Sequence, residues 1–310
     1  MPTEIISFDC LMIDYVTGPN PDIRFNYLRL ITFYSLPIAV ILLSFLFWSI
    51  KGCCSRLSCC SRISPQELLD KAIATISIIW FLFYPTIVSY LAQSINCTSI
   101  EGTPRLYDDL EEICYQDKHL IVIYAISIPG LIIWAFGVPL LGFYLTRRFL
   151  HQLRESEFHS DPRIYNNLQA RFKLRLGFLT QGYEDRYYYW EVVLLLRKTI
   201  LVLLLTFLAP VSSGVQSLSA ILLLIFSLVY QILKKPFYDD RLNHLEATSL
   251  GVQIMIIYFG LYYQAGKNDE FVSGDFVMWL IFGLIIIVSI QFIAVFAVRM
   301  RVEMLKATVK

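Results

Sequence analysis

Residues 215–233 read VQSLSAILLLIFSLVYQIL and contain no charged side chain. A helix crosses the roughly 30 Å hydrocarbon layer of a membrane with about 20 residues, so this stretch predicts a transmembrane helix. Six more apolar runs of similar length are separated by charged or turn-rich connections, and they cover residues 30–50, 72–92, 120–145, 188–209, 245–263 and 276–298. The sequence therefore predicts an all-α membrane protein, a bundle of about seven transmembrane helices.

The composition of the chain agrees with a membrane environment. Its 310 residues are 56% hydrophobic and 16% charged, whereas soluble domains carry roughly a quarter charged residues. A formal net charge of +1 indicates no nucleic-acid partner. The sequence shows no nucleotide loop, nucleophile constellation or metal-ligand helix of recognisable spacing, so it supports neither an enzyme nor a cofactor. We expect membrane lipids as partners, with ions and a homo- or hetero-oligomer as further options.

The distribution of Lys and Arg predicts the orientation, because short loops rich in these residues stay cytoplasmic. One set of connections, which includes the segment 147–186 and the tail 299–310, carries 19 basic residues, and the opposite set carries five. We therefore expect an external or luminal segment 1–29, a transmembrane domain 30–298 and a cytoplasmic tail 299–310. The expected location is the plasma membrane or another membrane of the secretory pathway.

The predicted external loop between the second and third spans contains Cys97 and Cys114 in an acidic context. In an oxidising compartment we favour a disulfide between them over free thiols, and closing such a loop contributes roughly 3 kcal/mol. Asn96 begins an Asn-Cys-Thr sequence and is a candidate for glycosylation. Cys10 is left over and is either free or paired with another segment or chain.

Four cysteines follow the first span directly, next to Lys51, Arg56 and Arg62: Cys53, Cys54, Cys59 and Cys60. Thiols beside a membrane are typical acceptors of reversible palmitoylation, which is the functional interpretation that we favour. Zinc binding by four thiolates is a second interpretation, although the adjacent pairs lack the usual C-x2-C spacing. Unmodified thiols at the interface are the third.

Ionisable residues within or beside the predicted spans form a candidate intramembrane polar cluster. Arg197 and Lys198 precede a long Leu-rich run in the fourth span, and their candidate partners are Glu191, His244 and Glu246. Charged side chains inside a membrane normally face other helices or an aqueous cavity, so pairing is expected. The alternative is that both basic side chains snorkel to the cytoplasmic headgroups.

Two further features bear on a possible ion pathway. Pro85, Pro129 and Pro139 lie within the second and third spans and predict kinks there, although membrane helices also tolerate proline without special function. The last external loop carries three acidic residues, which are candidates for a shallow cation-attracting vestibule or simply a solvated loop: Asp269, Glu270 and Asp275.

Several short stretches together resemble a known family. They include Tyr84-Pro85-Thr86, Gly182-Tyr183, Tyr189-Trp190-Glu191 through Arg197-Lys198, and Lys235-Pro236-Phe237 with Asn243 and Glu246. They resemble the transient-receptor-potential-like (TRP-like) C-terminal membrane domain of large Cys-rich surface proteins of unicellular eukaryotes. This resemblance implies an ion channel or a transporter-like protein that conducts or regulates ion movement. A seven-helix receptor, or an accessory or scaffold subunit without its own pore, is the alternative.

Overall fold

A computed structural model describes residues 25–54, 65–159, 162–180, 182–266 and 274–308. Its helices are α1 (Phe25–Cys54), α2 (Pro65–Gln93), α3 (residues 117–159), α4 (Pro162–Thr180), α5 (Trp190–Phe207), α6 (Ser213–Lys234), α7 (Asp240–Gly266) and α8 (Gly274–Thr308). Three short strands lie between α2 and α3: β1 (Cys97–Ile100), β2 (Thr103–Leu106) and β3 (Asp109–Ile113). A helix accordingly lies at each of the seven predicted spans.

Five helices in the described residues are long and apolar enough to cross a membrane: Tyr27–Lys51, Gln66–Gln93, Asp117–Ser156, Ser213–Lys234 and Asp240–Tyr262. The predicted fourth span is α5, whose 18 residues include three charges. The predicted seventh span lies in α8, where the apolar stretch that is described, Phe282–Val295, is shorter. The helical fold, with helices long and apolar enough to cross a membrane, is thus confirmed, whereas the number seven and the orientation stay predictions.

The chain divides into two compact units, residues 1–179 and 180–310. In the first unit α1 packs against α2, and the rings of Phe33 and Tyr90 stack with centroids 4.3 Å apart. Helix α2 also approaches α3 closely at Gly130, where an added Cβ would lie 2.8 Å from a methyl carbon of Leu91. A larger residue at this position would have to displace the buried Leu91 side chain, so glycine lets α3 approach α2 closely.

Helix α3 contains two π-helical segments, Ile123–Ser127 and Ile132–Gly137, each shortly before a proline. Pro139 has no N–H for the carbonyl of Ala135, four residues earlier, and wide turns relieve the clash of a proline ring with that carbonyl. The Tyr84 hydroxyl donates to the Ala135 oxygen at 3.2 Å. A side chain of α2 thereby replaces a backbone donor that the sequence of α3 removes.

The predicted external loop forms a three-stranded antiparallel sheet in the order β1-β2-β3. Cys97 pairs with Leu106 across β1 and β2, and the Cys114 amide donates to the Pro104 carbonyl at 2.9 Å. The apolar periodicity used for the spans carries no information about such short polar strands, so the sheet was not predicted.

In the second unit α6 packs against both α5 and α7, and α7 packs against α8. Ser212 caps the start of α6 by accepting from the Gly214 amide at 3.2 Å, and Lys235, in the left-handed conformation, ends the helix. Pro236 follows at once and cannot continue it. The Asn243 side chain then accepts from the Phe237 amide at 3.1 Å and donates to its carbonyl at 2.9 Å, which fixes the turn between α6 and α7.

Candidate functional site

An ion pair joins α5 and α7. Arg197 lies two turns into α5, Glu246 lies two turns into α7, and the Arg197 Nη2 donates to the Glu246 Oε1 at 2.7 Å. The side chains are only 16% and 24% exposed. The structure therefore brings together two of the five residues that we expected in an intramembrane polar cluster. Their contact pairs a charge in the predicted span that contains the most charged residues, 188–209, with a carboxylate on another helix.

Glu191, one turn and a half before Arg197, has a different partner from the one that the sequence suggested. Its Oε2 accepts from the Tyr183 hydroxyl at 2.7 Å. Tyr183 is itself held by a backbone bridge to Phe237 and by ring contact with it at 4.8 Å. Burial, with the nearby Glu191 charge, raises the pKa of Tyr183, so the phenol stays a neutral donor.

These two contacts belong to one group of side chains, which we call the polar cluster: Tyr183, Glu191, Arg197 and Glu246. The charges of Glu191, Arg197 and Glu246 all act on Tyr183. With both carboxylates ionised the cluster holds two negative charges against one positive charge, and the exposed Lys198 nearby adds a positive charge that acts on Glu191. The carboxylates of Glu191 and Glu246 are the groups of the cluster that attract a cation or a proton.

An aromatic and amide frame supports the cluster. The rings of Trp190 and Tyr230 stack with centroids 5.1 Å apart, and Trp190 is 1% exposed. Gln231, also buried, donates to the Asn243 side chain at 3.4 Å. Tyr230 and Gln231 are neighbours at the end of α6, so these contacts connect Trp190, the residue before Glu191, with the turn between α6 and α7. This connection limits how far Glu246 can move relative to α5.

The structure leaves the other predicted cluster members outside this contact network. Lys198 and His244 are exposed, although the Lys198 charge still acts on Glu191. Asp269 and Glu270 lie outside the described residues, and only the backbone of Asp275 is described. The vestibule therefore stays a prediction.

The predicted disulfide joins Cys97 and Cys114, with their Cα atoms 6.4 Å apart. His119 lies against this bridge, fully buried, and its Nδ1 accepts from the Tyr115 amide while its Nε2 lies 3.0 Å from the Ser94 carbonyl oxygen. The two sulfurs and a His119 nitrogen lie within 4.8 Å of one another. With the sulfurs in a disulfide and both nitrogens engaged, this trio serves the loop structure and not a metal.

Modification sites remain predictions. Asn96 is 5% exposed, so a glycan at this position requires its side chain to leave a buried site. Cys53 and Cys54 lie in the last turn of α1 without described side chains, and Cys10, Cys59 and Cys60 lie outside the described residues. Palmitoylation and zinc binding are therefore both still open for this group.

Two polar contacts were not foreseen. The first is the hydrogen bond between Tyr183 and Glu191. The Gly182-Tyr183 stretch of the family resemblance drew attention to Tyr183, but no role was assigned to it. The second contact lies in the first unit, where Asp70 of α2 accepts from Arg171 at 3.1 Å and from Arg175. These arginines were counted only for orientation. Their spacing of four residues on one helix face was a signal that they share a partner.

The comparisons with known proteins give distant relatives. The chain is 27% identical over 215 residues to cysteine repeat modular protein B of Toxoplasma gondii, and 26% identical over 171 residues to cysteine repeat modular protein A of that organism. The matches cover 64% and 54% of this chain but only 3% and 4% of the two relatives. No family model matches, and no solved structure matches. The chain is thus similar to a small part of two very large cysteine-repeat proteins.

Proposed function

We propose that this chain is a TRP-like integral membrane protein that conducts or regulates the movement of cations. The polar cluster is the observation that carries the proposal. Ionisable residues are expensive inside a membrane and usually mark ion or proton pathways. Glu191 and Arg197 lie in a predicted span, and Glu246 lies in a helix that is long and apolar enough to cross a membrane.

The geometry supports a regulating role for the Arg197–Glu246 pair. The pair neutralises one carboxylate, whereas Glu191 bonds to a phenol and not to a cation. Separation of Arg197 from Glu246 would expose a second carboxylate and strengthen the attraction for a cation. Because the pair connects α5 to α7, a shift of either helix changes the charge that a passing ion meets.

The direct test is current recording from the purified chain in planar bilayers. We expect cation-selective currents, and we expect Glu246→Gln to change conductance or open probability severalfold. Arg241→Gln is the matched control, because it removes an exposed positive charge at the start of α7, outside the polar cluster. Bilayers that remain silent with folded protein in both orientations would overturn the conducting form of the proposal.

A double-mutant cycle on thermal stability in detergent tests the pair itself. We expect Arg197→Gln and Glu246→Gln each to destabilise the protein, and the double variant to recover about 1 to 2 kcal/mol of the summed loss, because neither charge is then left alone. Lys198→Gln combined with Glu246→Gln provides the comparison. Equal additivity in both combinations would mean that Arg197 is only an interfacial anchor.

We also propose seven spans with the N-terminus outside and the C-terminus in the cytoplasm. The support is the excess of basic residues in one set of connections. Reporters fused to each end should report opposite sides of the membrane. A C-terminus that is accessible from outside the cell would exclude this topology.

A membrane anchor or accessory subunit is the second candidate. The two relatives have the word modular in their names, and the similar part is a few per cent of their length. A small membrane module in a much larger protein can serve attachment without a pore. Folded but silent protein in the bilayer experiment would favour this candidate.

A further inference from the structure

Glu191 of the polar cluster has one engaged and one open carboxylate oxygen. Its Oε2 accepts from the Tyr183 hydroxyl at 2.7 Å. Its Oε1 has no hydrogen-bond partner among the described residues, yet it is not one of the fully buried side-chain atoms there that lack a partner, so it keeps accessible surface. The residue as a whole is half-buried. A small species can therefore reach Oε1 without breaking the bond to Tyr183.

The charges around Glu191 come from two helices. Lys198 and Arg197 act on it from α5, and Glu246 acts on it from α7. Arg197 is already bonded to Glu246 at 2.7 Å, and the exposed Lys198 forms no ion pair with Glu191 in the described part of the chain. Helix α6 contributes the phenol of Tyr230 from the aromatic frame. The Glu191 carboxylate is thus the member of the cluster without a bonded cation.

Uptake of one proton balances the charges of the cluster. When Glu191 is protonated, the ion pair of Arg197 and Glu246 remains, with one charge of each sign. An uncompensated charge at membrane depth is costly, and a neutral carboxylic acid avoids that cost. The proton can lie on Oε1 while Oε2 still accepts from Tyr183, because a protonated carboxyl group keeps acceptor capacity.

A metal cation fits this position less well than a proton does. Calcium takes about six to eight oxygen ligands, and magnesium requires about six in octahedral geometry. Within the ranges that the structure describes, Glu191 belongs to no group of three or more side chains whose metal-ligand atoms lie near one another. One carboxylate oxygen of Glu246 is already bonded to Arg197. A proton needs a single oxygen atom, which Oε1 of Glu191 provides.

We propose that Glu191 binds a proton reversibly at Oε1 and that the proton is the cation on which the polar cluster acts. This inference rests on the proposed function and names its ion. Binding forms an O–H bond at Oε1 with a proton delivered by water, and release returns the proton to water, so no group is oxidised or reduced. Tyr183 is a positioning residue, because its hydroxyl holds the carboxyl group by Oε2 and leaves Oε1 open.

The first test is infrared difference spectroscopy of the purified full chain in lipid as the pH is lowered. A carboxylate that takes up a proton gains the C=O stretching band of a carboxylic acid. We expect one such band to be absent in Glu191→Gln and to shift in frequency in Tyr183→Phe, which keeps the ring that contacts Phe237. Asp240→Asn is the matched control, because Asp240 is exposed at the start of α7. The same set of bands in the wild type and in Glu191→Gln would overturn the proposal.

Neighbouring charges give a second readout, the pH midpoint at which the Glu191 band appears. Lys198→Gln removes a positive charge that acts on Glu191, so the midpoint should move to higher pH. Glu246→Gln removes a negative charge and leaves Arg197 without its partner, so the midpoint should move to lower pH. A band that neither variant moves would show that the titrating group lies outside the cluster.

Proton flux separates this inference from the proposed function. The chain is reconstituted into vesicles of phosphatidylcholine and phosphatidylglycerol that contain a pH-sensitive dye, and Glu191→Gln should lower proton uptake severalfold. Vesicles that conduct no cation but whose protein keeps the Glu191 band would reject conduction and leave the proton site standing. Metal-cation currents that Glu191→Gln does not change, from protein without a Glu191 band, would reject the proton site and leave the proposed function standing.

Discussion

Replacing Asp70 with asparagine is expected to lower the free energy of unfolding by about 3 kcal/mol. The Asp70 side chain is 5% exposed and forms ion pairs with both Arg171 and Arg175, whose side chains are 42% and 17% exposed. Removing the Asp70 charge leaves two guanidinium groups at the junction of α2 and α4 without the carboxylate that they share. Arg171 can turn toward water, but Arg175 is too buried to recover its hydration fully. The measurement is denaturant or thermal unfolding in detergent.

The matched control for this experiment is Glu67→Gln, one turn earlier on α2. Glu67 pairs with Lys71 at 2.7 Å, but the side chains are 48% and 33% exposed. Exposed pairs of this spacing contribute about 0.3 to 0.5 kcal/mol. We expect Arg175→Gln to relieve part of the Asp70→Asn loss. Similar losses for Asp70→Asn and Glu67→Gln would mean that the two arginines do not depend on Asp70.

The second large effect is expected from removal of the disulfide. Replacing both Cys97 and Cys114 with serine should cost about 3 kcal/mol, because the unfolded loop is no longer closed across a sequence separation of 17 residues. The loss should be local to the sheet and to the start of α3, since His119 packs there. Faster amide hydrogen exchange over residues 97–119, with α6 and α7 unchanged, is the expected signature.

Peptide mapping supplies the chemical control for the bridge. Without reductant, an alkylating reagent should leave Cys97 and Cys114 unmodified, and reduction should release both. Cys10→Ser serves as a comparison outside the loop. Alkylation of both loop cysteines in the unreduced native protein would contradict the disulfide.

The membrane class followed directly from the sequence, whereas the number of spans did not. Segment 215–233 is mostly apolar and contains no charged residue, so it is predicted as a span from its own composition alone. The run 188–209 is different, because Glu191, Arg197 and Lys198 interrupt it. Whether such a segment enters a membrane depends on the partners of its charges, and those partners lie on other elements.

The candidate site shows the same division. The residue types at positions 191, 197 and 246 indicated that charges would meet, since lone charges are costly in a membrane. The sequence did not indicate that Tyr183 would bond to Glu191, nor that Arg197 would choose Glu246 over Glu191. Helix rotation and the turn held by Asn243 determine those choices.

By itself, the sequence determined that this protein is helical, with segments long and apolar enough to cross a membrane, and it indicated the loop whose cysteines pair. These properties depend on the summed hydropathy of local segments and on the compartment that a loop faces. Only the tertiary structure showed that Asp70 pairs with Arg171 and Arg175, about a hundred residues away in the sequence. It also showed that Arg29 and Asp108 line the same cleft. The physical reason is that charge pairing requires specific distances and orientations, and packing between distant segments sets both.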